Sequence, residues 1–216
     1  MANRSYLCLS QGKNLQEVFV PLRLAPIEVS DDLLGDCPYR VPLLWLAIFR
    51  PEDLQEAQMG GEKGSRYAPI ASIPEASSQL KNSLPYLDNL FSAEGKLSAY
   101  TGYFLSKLNS SGFSFVYLNL VEMEMLEEAA RFRNHLLQCL LGFSRPEAVV
   151  YQRPGGWLAR VFHGKPDGNP HREALLSMTG LDRSQPILRF SGNFRLEDKK
   201  TRRQISSLIG MGKILK

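Results

Sequence analysis

His163, Asp167 and His171 are the residues whose types best suit chemistry, because two imidazoles and a carboxylate are the donors a zinc ion takes. Their spacing matches neither a helical i, i+4 pair nor a familiar ligand pattern, and the stretch HGKPDGNPH that holds them reads as a solvated loop. No metal site and no cofactor are expected. Cys139 and His135 stand four residues apart, the spacing that makes helix side chains neighbours. Leu136, Leu137, Leu140 and Leu141 surround that cysteine in sequence, and burial among leucines raises a thiol pKa, so a nucleophile and base pair is not expected.

Phosphate loops fare no better. Gly60-Gly61-Glu62-Lys63-Gly64-Ser65 lacks the G-x-x-x-x-G-K-[ST] order, and Gly210-Met211-Gly212-Lys213 has no following helix to receive a phosphate. No catalytic residue is assigned, and the chain reads as a non-enzymatic protein.

Three charge clusters remain as candidate binding residues. Asp31 and Asp32 with Asp36, and Glu122 with Glu124, are acidic groups suited to local charge matching with a protein partner. Lys199, Lys200, Arg202 and Arg203 form a compact basic cluster suited to phosphate backbones or an acidic surface. Ile205, Leu208, Ile209 and Leu215 follow at partly helical spacing, so part of this end is expected to dock. No aromatics interleave the cations to offer a stacking platform.

The basic cluster also explains the composition. The 216 residues carry 26 Lys and Arg against 22 Asp and Glu, a formal net charge of +4. Arg195 to Lys216 holds seven basic and two acidic residues, which leaves residues 1–194 with nineteen basic and twenty acidic. The reading is a nearly neutral globular body over 1–194 with a basic C-terminal tail over 195–216.

The start MANRSYLCLSQGK lacks the apolar core of a secretory signal, and the longest apolar run, Val41 to Phe49, is too short for a membrane helix. Cys8, Cys37 and Cys139 are odd in number and form no C-x-x-C pair. A cytoplasmic protein with buried thiols and no membrane association is expected.

The elements that would position these residues follow from pattern. Ser5–Leu9 suits a first strand, and Glu17–Leu24 an edge strand or extended loop because Pro21 interrupts it. Val41–Phe49 fits a buried strand or a short buried helix, with Pro42 favouring the helix, and Glu52–Met59 is read as its continuation. Tyr67–Ile73 reads as a core strand. Pro74 then opens a helix whose Ile73, Ala76, Leu80, Leu84, Leu87 and Phe91 share a face, with a kink or restart at Pro85 capped by Ser83. Phe113–Leu120 is a strand rich in aromatic and apolar residues, followed by a helix to Leu141 ended by Gly142. Val149–Gln152 and Trp157–Phe162 suit a hairpin around Pro154-Gly155-Gly156, Glu173–Met178 a short helix and Ile187–Phe190 a strand. Strands alternating with helices predict an α/β or α+β domain, a mixed sheet flanked by helices.

Three segments carry a resemblance. Ala2-Asn3-Arg4-Ser5-Tyr6-Leu7, Tyr39-Arg40-Val41-Pro42-Leu43, and Ala68-Pro69-Ile70-Ala71 leading into the helix to Phe91 resemble an uncharacterised bacterial family whose members begin ANRSYLY and continue with a Y-x-(I/V)-P-L block. The similarity covers about residues 2–125, and Cys8 departs from the family's usual aromatic. Such proteins resemble those encoded beside polymorphic or contact-dependent toxins. The resemblance implies a cytoplasmic immunity protein that binds a cognate toxin and occludes its active site. The alternative is association with nucleic acid through the basic C-terminal end.

Overall fold

The first strand, β1 (Arg4–Ser10), lies between β2 (Leu33–Pro38) and β5 (Phe115–Asn119), with Tyr6 opposite Asp36 on one side and Asn119 on the other. A computed structural model describes residues 4–13, 33–58, 65–91, 93–124, 129–144, 170–181 and 199–210. Beyond β5 the sheet continues through β4 (Ser65–Ser72) to β3 (Leu54–Gln58), giving the order β2-β1-β5-β4-β3. Among the described residues every strand pairing is antiparallel, so of the two expected classes the fold is α+β.

Alternation along the strands divides the apolar residues between two faces. Leu7, Leu9, Val116, Leu118 and Ala71 join the main core, which they share with the helices. Tyr6, Cys8, Tyr117, Ile70 and Ala68 form a second buried cluster on the opposite face. A bulge between Leu7 and Cys8 shifts the register of β1 against β2, so that Leu7 faces Gly35 and Cys8 faces Leu33.

The run from Val41 to Phe49 is wholly buried and contains the helix α1 (Leu43–Ala47). A helix apolar on every side belongs inside a core, and this one forms its centre. The expected continuation of helix over 52–59 is overturned. Pro51–Asp53 forms one 3₁₀ turn, closed by the Asp53 carboxylate accepting from the Arg50 N–H at 2.7 Å, and Leu54 then turns extended. β3 follows and pairs with β4, so tertiary pairing outweighs the weak β-propensity of LQEAQ.

α2 (Ile73–Leu90) starts where Ser72 accepts from the Glu75 N–H, and it buries Ile73, Ala76, Leu80 and Leu87 as the spacing predicts. It runs unbroken through Pro85. Ser83 does not cap a restarted helix: its hydroxyl donates back to the Gln79 carbonyl at 2.9 Å. α3 (Leu97–Asn109) packs against α2 through Leu97, Tyr100, Phe104 and Leu108. Its i, i+3, i+4 apolar signal is legible in the sequence, although no element is expected there above.

α4 (Val121–Glu124) follows β5, and α5 (Ala129–Ser144) carries Phe132, Leu136, Cys139 and Leu140 into the core. Gly142 lies within α5 and does not end it. α6 (Pro170–Thr179) packs against α5. The last described element is α7 (Lys199–Ile209), whose Ile205, Leu208 and Ile209 are completely buried against α1. The basic cluster therefore sits on a core helix and not on an appended tail. The strand expected at 17–24, the hairpin at 149–162, the strand at 187–190, and the residues His163 and Asp167 lie outside the described residues. Among the described residues no helix is long and apolar enough to cross a membrane.

Candidate functional site

One corner of the molecule gathers the residues that led the sequence reading in different directions. β2 ends at Pro38, Tyr39 and Arg40 turn the chain, and Pro42 precedes α1. α7 packs alongside and brings its charged face to the turn. Pro38, Tyr39, Arg40, Lys199, Arg202, Arg203 and Ser206 line an open groove of about 630 Å³. Four of these seven are cations, and none of these seven is acidic.

The turn is fastened to its surroundings on three sides. The Ser5 hydroxyl donates to the Arg40 carbonyl at 2.6 Å, and the Val41 N–H donates to the Met178 carbonyl at 2.8 Å. The Arg40 guanidinium donates to the Ser207 hydroxyl at 2.6 Å. Cys37 lies 3.7 Å from the Ser206 hydroxyl, and burial is the main reason its thiol pKa is raised. Deeper in, the Trp45 indole N–H donates to the Ile209 carbonyl at 2.9 Å, pinning the end of α7 to α1. The groove is thus a rigid seam between two elements far apart in sequence, and preorganisation of this kind lowers the cost of binding.

Tyr39 stands apart from its neighbours. It is 66% exposed, the one large hydrophobic residue so exposed among those described, and its backbone has φ +60.

The expected basic contacts are present as surface residues. Lys199, Lys200, Arg202 and Arg203 are all exposed, with Lys200 outside the groove lining. The expected acidic contacts are engaged within the fold. Asp36 forms an ion pair with Arg4. Glu122 accepts from the Arg4 backbone N–H at 2.9 Å and from the Tyr6 hydroxyl at 2.6 Å. Glu124 is only 2% exposed and offers no contact surface. Asp31 and Asp32 lie outside the described residues.

The other chemical candidates resolve physically. Cys139 is fully buried with its sulfur 3.5 Å from the Met178 sulfur, and burial pushes its thiol pKa far up, which removes it as a nucleophile. His171 is a structural residue of α6, its Nδ1 donating to the Gln138 carbonyl at 2.6 Å. No cluster of three metal-ligating side chains occurs among the described residues.

Tyr39 and Arg40 are the site residues that sequence reasoning did not single out for binding. Their signal was position: a polar dipeptide in a turn between Pro38 and Pro42, directly before the most apolar run of the chain. No aromatic interleaves the cations of the basic cluster in sequence, and the fold supplies one from a segment some 160 residues away. Compared with protein-family models, curated proteins and solved structures, the chain matches none.

Proposed function

We propose that this protein is a non-enzymatic binding protein that neutralises a cognate bacterial toxin by covering its active site, and that it meets the toxin through the basic groove. The observation that carries this reading is the rigid seam of Tyr39, Arg40, Lys199, Arg202 and Arg203. Tyrosine and arginine are the residue types enriched where protein interfaces concentrate their binding energy. The contact face moves from the acidic groups to the basic ones because Asp36 and Glu122 are already engaged and Glu124 is buried. A cationic rim suits an acidic face on the toxin and steers its approach. Tight neutralisation calls for a total buried area of about 1,200–2,000 Å², more than the groove alone, so the surrounding surface takes part.

Two of the three segments that carry the family resemblance bear on the same corner. Arg4 and Ser5 of the opening bond to Asp36 and to the Arg40 carbonyl, and Tyr39 to Leu43 run from the turn into the start of α1. In this reading the protein acts in the cytoplasm, and its three buried cysteines are free thiols.

Co-expression with the product of the neighbouring gene tests the proposal. The expected result is that cells survive with the wild-type protein and die without it, and that Arg202→Glu with Arg203→Glu abolishes protection. Survival of cells making that product without this protein overturns the reading. A second reading, association with nucleic acid, is favoured by the four cations along the groove. It requires binding whose affinity falls steeply with salt, and no binding of DNA or RNA at low salt removes it.

A further inference from the structure

Tyr39 combines three properties that the fold does not need together. First, its ring is 66% exposed while every residue from Val41 to Phe49 is buried or nearly so, so it contributes little to the core. Second, its φ of +60 is a left-handed conformation that glycine adopts freely and an aromatic L-residue adopts at a cost. Third, the side chains and backbone around it are tied down, with Ser5 on the Arg40 carbonyl, Ser207 on the Arg40 guanidinium and the Met178 carbonyl on the Val41 N–H. A strained residue persists when its surroundings over-determine it, and such residues cluster at functional sites.

We infer that Tyr39 is the anchor of the partner-binding face: its ring enters a pocket on an acidic protein surface while Arg40, Lys199, Arg202 and Arg203 form a charged rim around it. This inference rests on the toxin-binding reading above and names the residue that gives that contact its affinity. An exposed tyrosine loses only two side-chain torsions on burial, so a rigidly mounted one is a low-entropy anchor. The four surrounding cations repel one another and are relieved by carboxylates on the facing surface. A single-stranded nucleic acid is the weaker fit, because strand binding uses successive aromatic platforms and the groove presents one ring.

Titration calorimetry of the full-length protein against the purified product of the neighbouring gene tests the inference, with thermal unfolding run on each variant. Tyr39→Ala is expected to weaken binding by about 30-fold or more, the scale of an anchor residue, with no loss of melting temperature. Tyr39→Gly is expected to weaken binding equally while raising the melting temperature, since glycine relieves the left-handed backbone. Tyr39→Ala binding within about threefold of wild type overturns the anchor and leaves the toxin-binding reading standing. A melting temperature lowered by Tyr39→Gly overturns it as well, because Tyr39 is then structural. No binding by the wild-type protein overturns the reading and the inference together. Fluorescein-labelled oligo(dT) bound at physiological salt by wild type and lost in Tyr39→Ala assigns the ring to nucleic acid and overturns the protein anchor.

Discussion

The Arg40 guanidinium donates to the Ser207 hydroxyl at 2.6 Å, joining residues 167 positions apart. Ser207 in turn donates to the Arg203 carbonyl at 3.1 Å. A hydroxyl has one donor and two acceptor sites, so it serves both partners at once. This one side chain holds a cation of the turn against a helix that brings three more to the groove, which fixes the spacing of positive charge across it. Ser207→Ala leaves a partly buried guanidinium without this acceptor, and is expected to cost about 1–2 kcal/mol, reduced by about 0.5 kcal/mol from the better helix propensity of alanine. Urea unfolding followed by circular dichroism measures it. An unchanged midpoint and slope mean the bond contributes nothing to stability.

Gly210 ends α7 at φ +82, and a methyl group placed on it collides with the Trp45 ring at Cζ2. Two costs combine: the left-handed backbone, about 1 kcal/mol, and overpacking against a completely buried indole, about 1–3 kcal/mol. Gly210→Ala is therefore expected to destabilise by about 2–4 kcal/mol and to shift the fluorescence of Trp45. Gly112→Ala is the control, since Gly112 has φ +76 and nothing within 4 Å of an added methyl. Equal losses in the two variants rule out close packing between Gly210 and Trp45.

The same corner shows what the sequence makes legible. Ile205, Leu208 and Ile209 of the expected docking stripe are legible because helix periodicity is local, and they are buried, while Leu215 lies outside the described residues. Its destination was not legible, since the contact with Trp45 depends on a pairing across more than 160 residues. The strand at Leu54–Gln58 was missed for a related reason: LQEAQ has helical propensity, and only the neighbouring β4 makes it a strand. Asp36, Glu122 and Glu124 looked like a surface because charge is visible in sequence and its partners are not. Arg4 lies 32 residues from Asp36, and Arg4 and Tyr6 lie 118 and 116 residues from Glu122.

Tyr6 and Glu122 give the fold an alkaline limit. Burial first, then the bond to Glu122, push the Tyr6 phenol pKa well above its ordinary value of about 10. The raised value means the folded state holds this proton after the unfolded chain has lost it. The contribution is fully present below about pH 10 and is lost as pH rises above it, by proton linkage. Stability is expected to fall through that range in the wild type, and Tyr6→Phe is expected to remove this component. At neutral pH the same variant leaves Glu122 with one donor fewer and costs about 1–2 kcal/mol. Parallel pH profiles for the two proteins between neutrality and strong alkali sink the assignment to Tyr6.

Gly142 tests whether α5 and α6 are locked together. Within a helix, glycine to alanine ordinarily stabilises by about 1 kcal/mol. Here an added methyl group meets the His171 Cβ at 3.0 Å and Cγ at 3.1 Å, so the sign depends on whether His171 can yield. It is held: its Nδ1 donates to the Gln138 carbonyl at 2.6 Å, and Leu175, one turn further along α6, is completely buried. Moving the ring lengthens a hydrogen bond made to the same helix that carries the new methyl. Gly142→Ala is therefore expected to destabilise by about 1 kcal/mol net, the overpacking cost exceeding the propensity gain. In a His171→Ala background, which removes the ring but keeps its Cβ, the penalty is expected to shrink, and the double-mutant cycle reads that difference as coupling. A Gly142→Ala protein more stable than wild type shows instead that α6 gives way, and places the seam between α5 and α6 among the softer contacts of the fold.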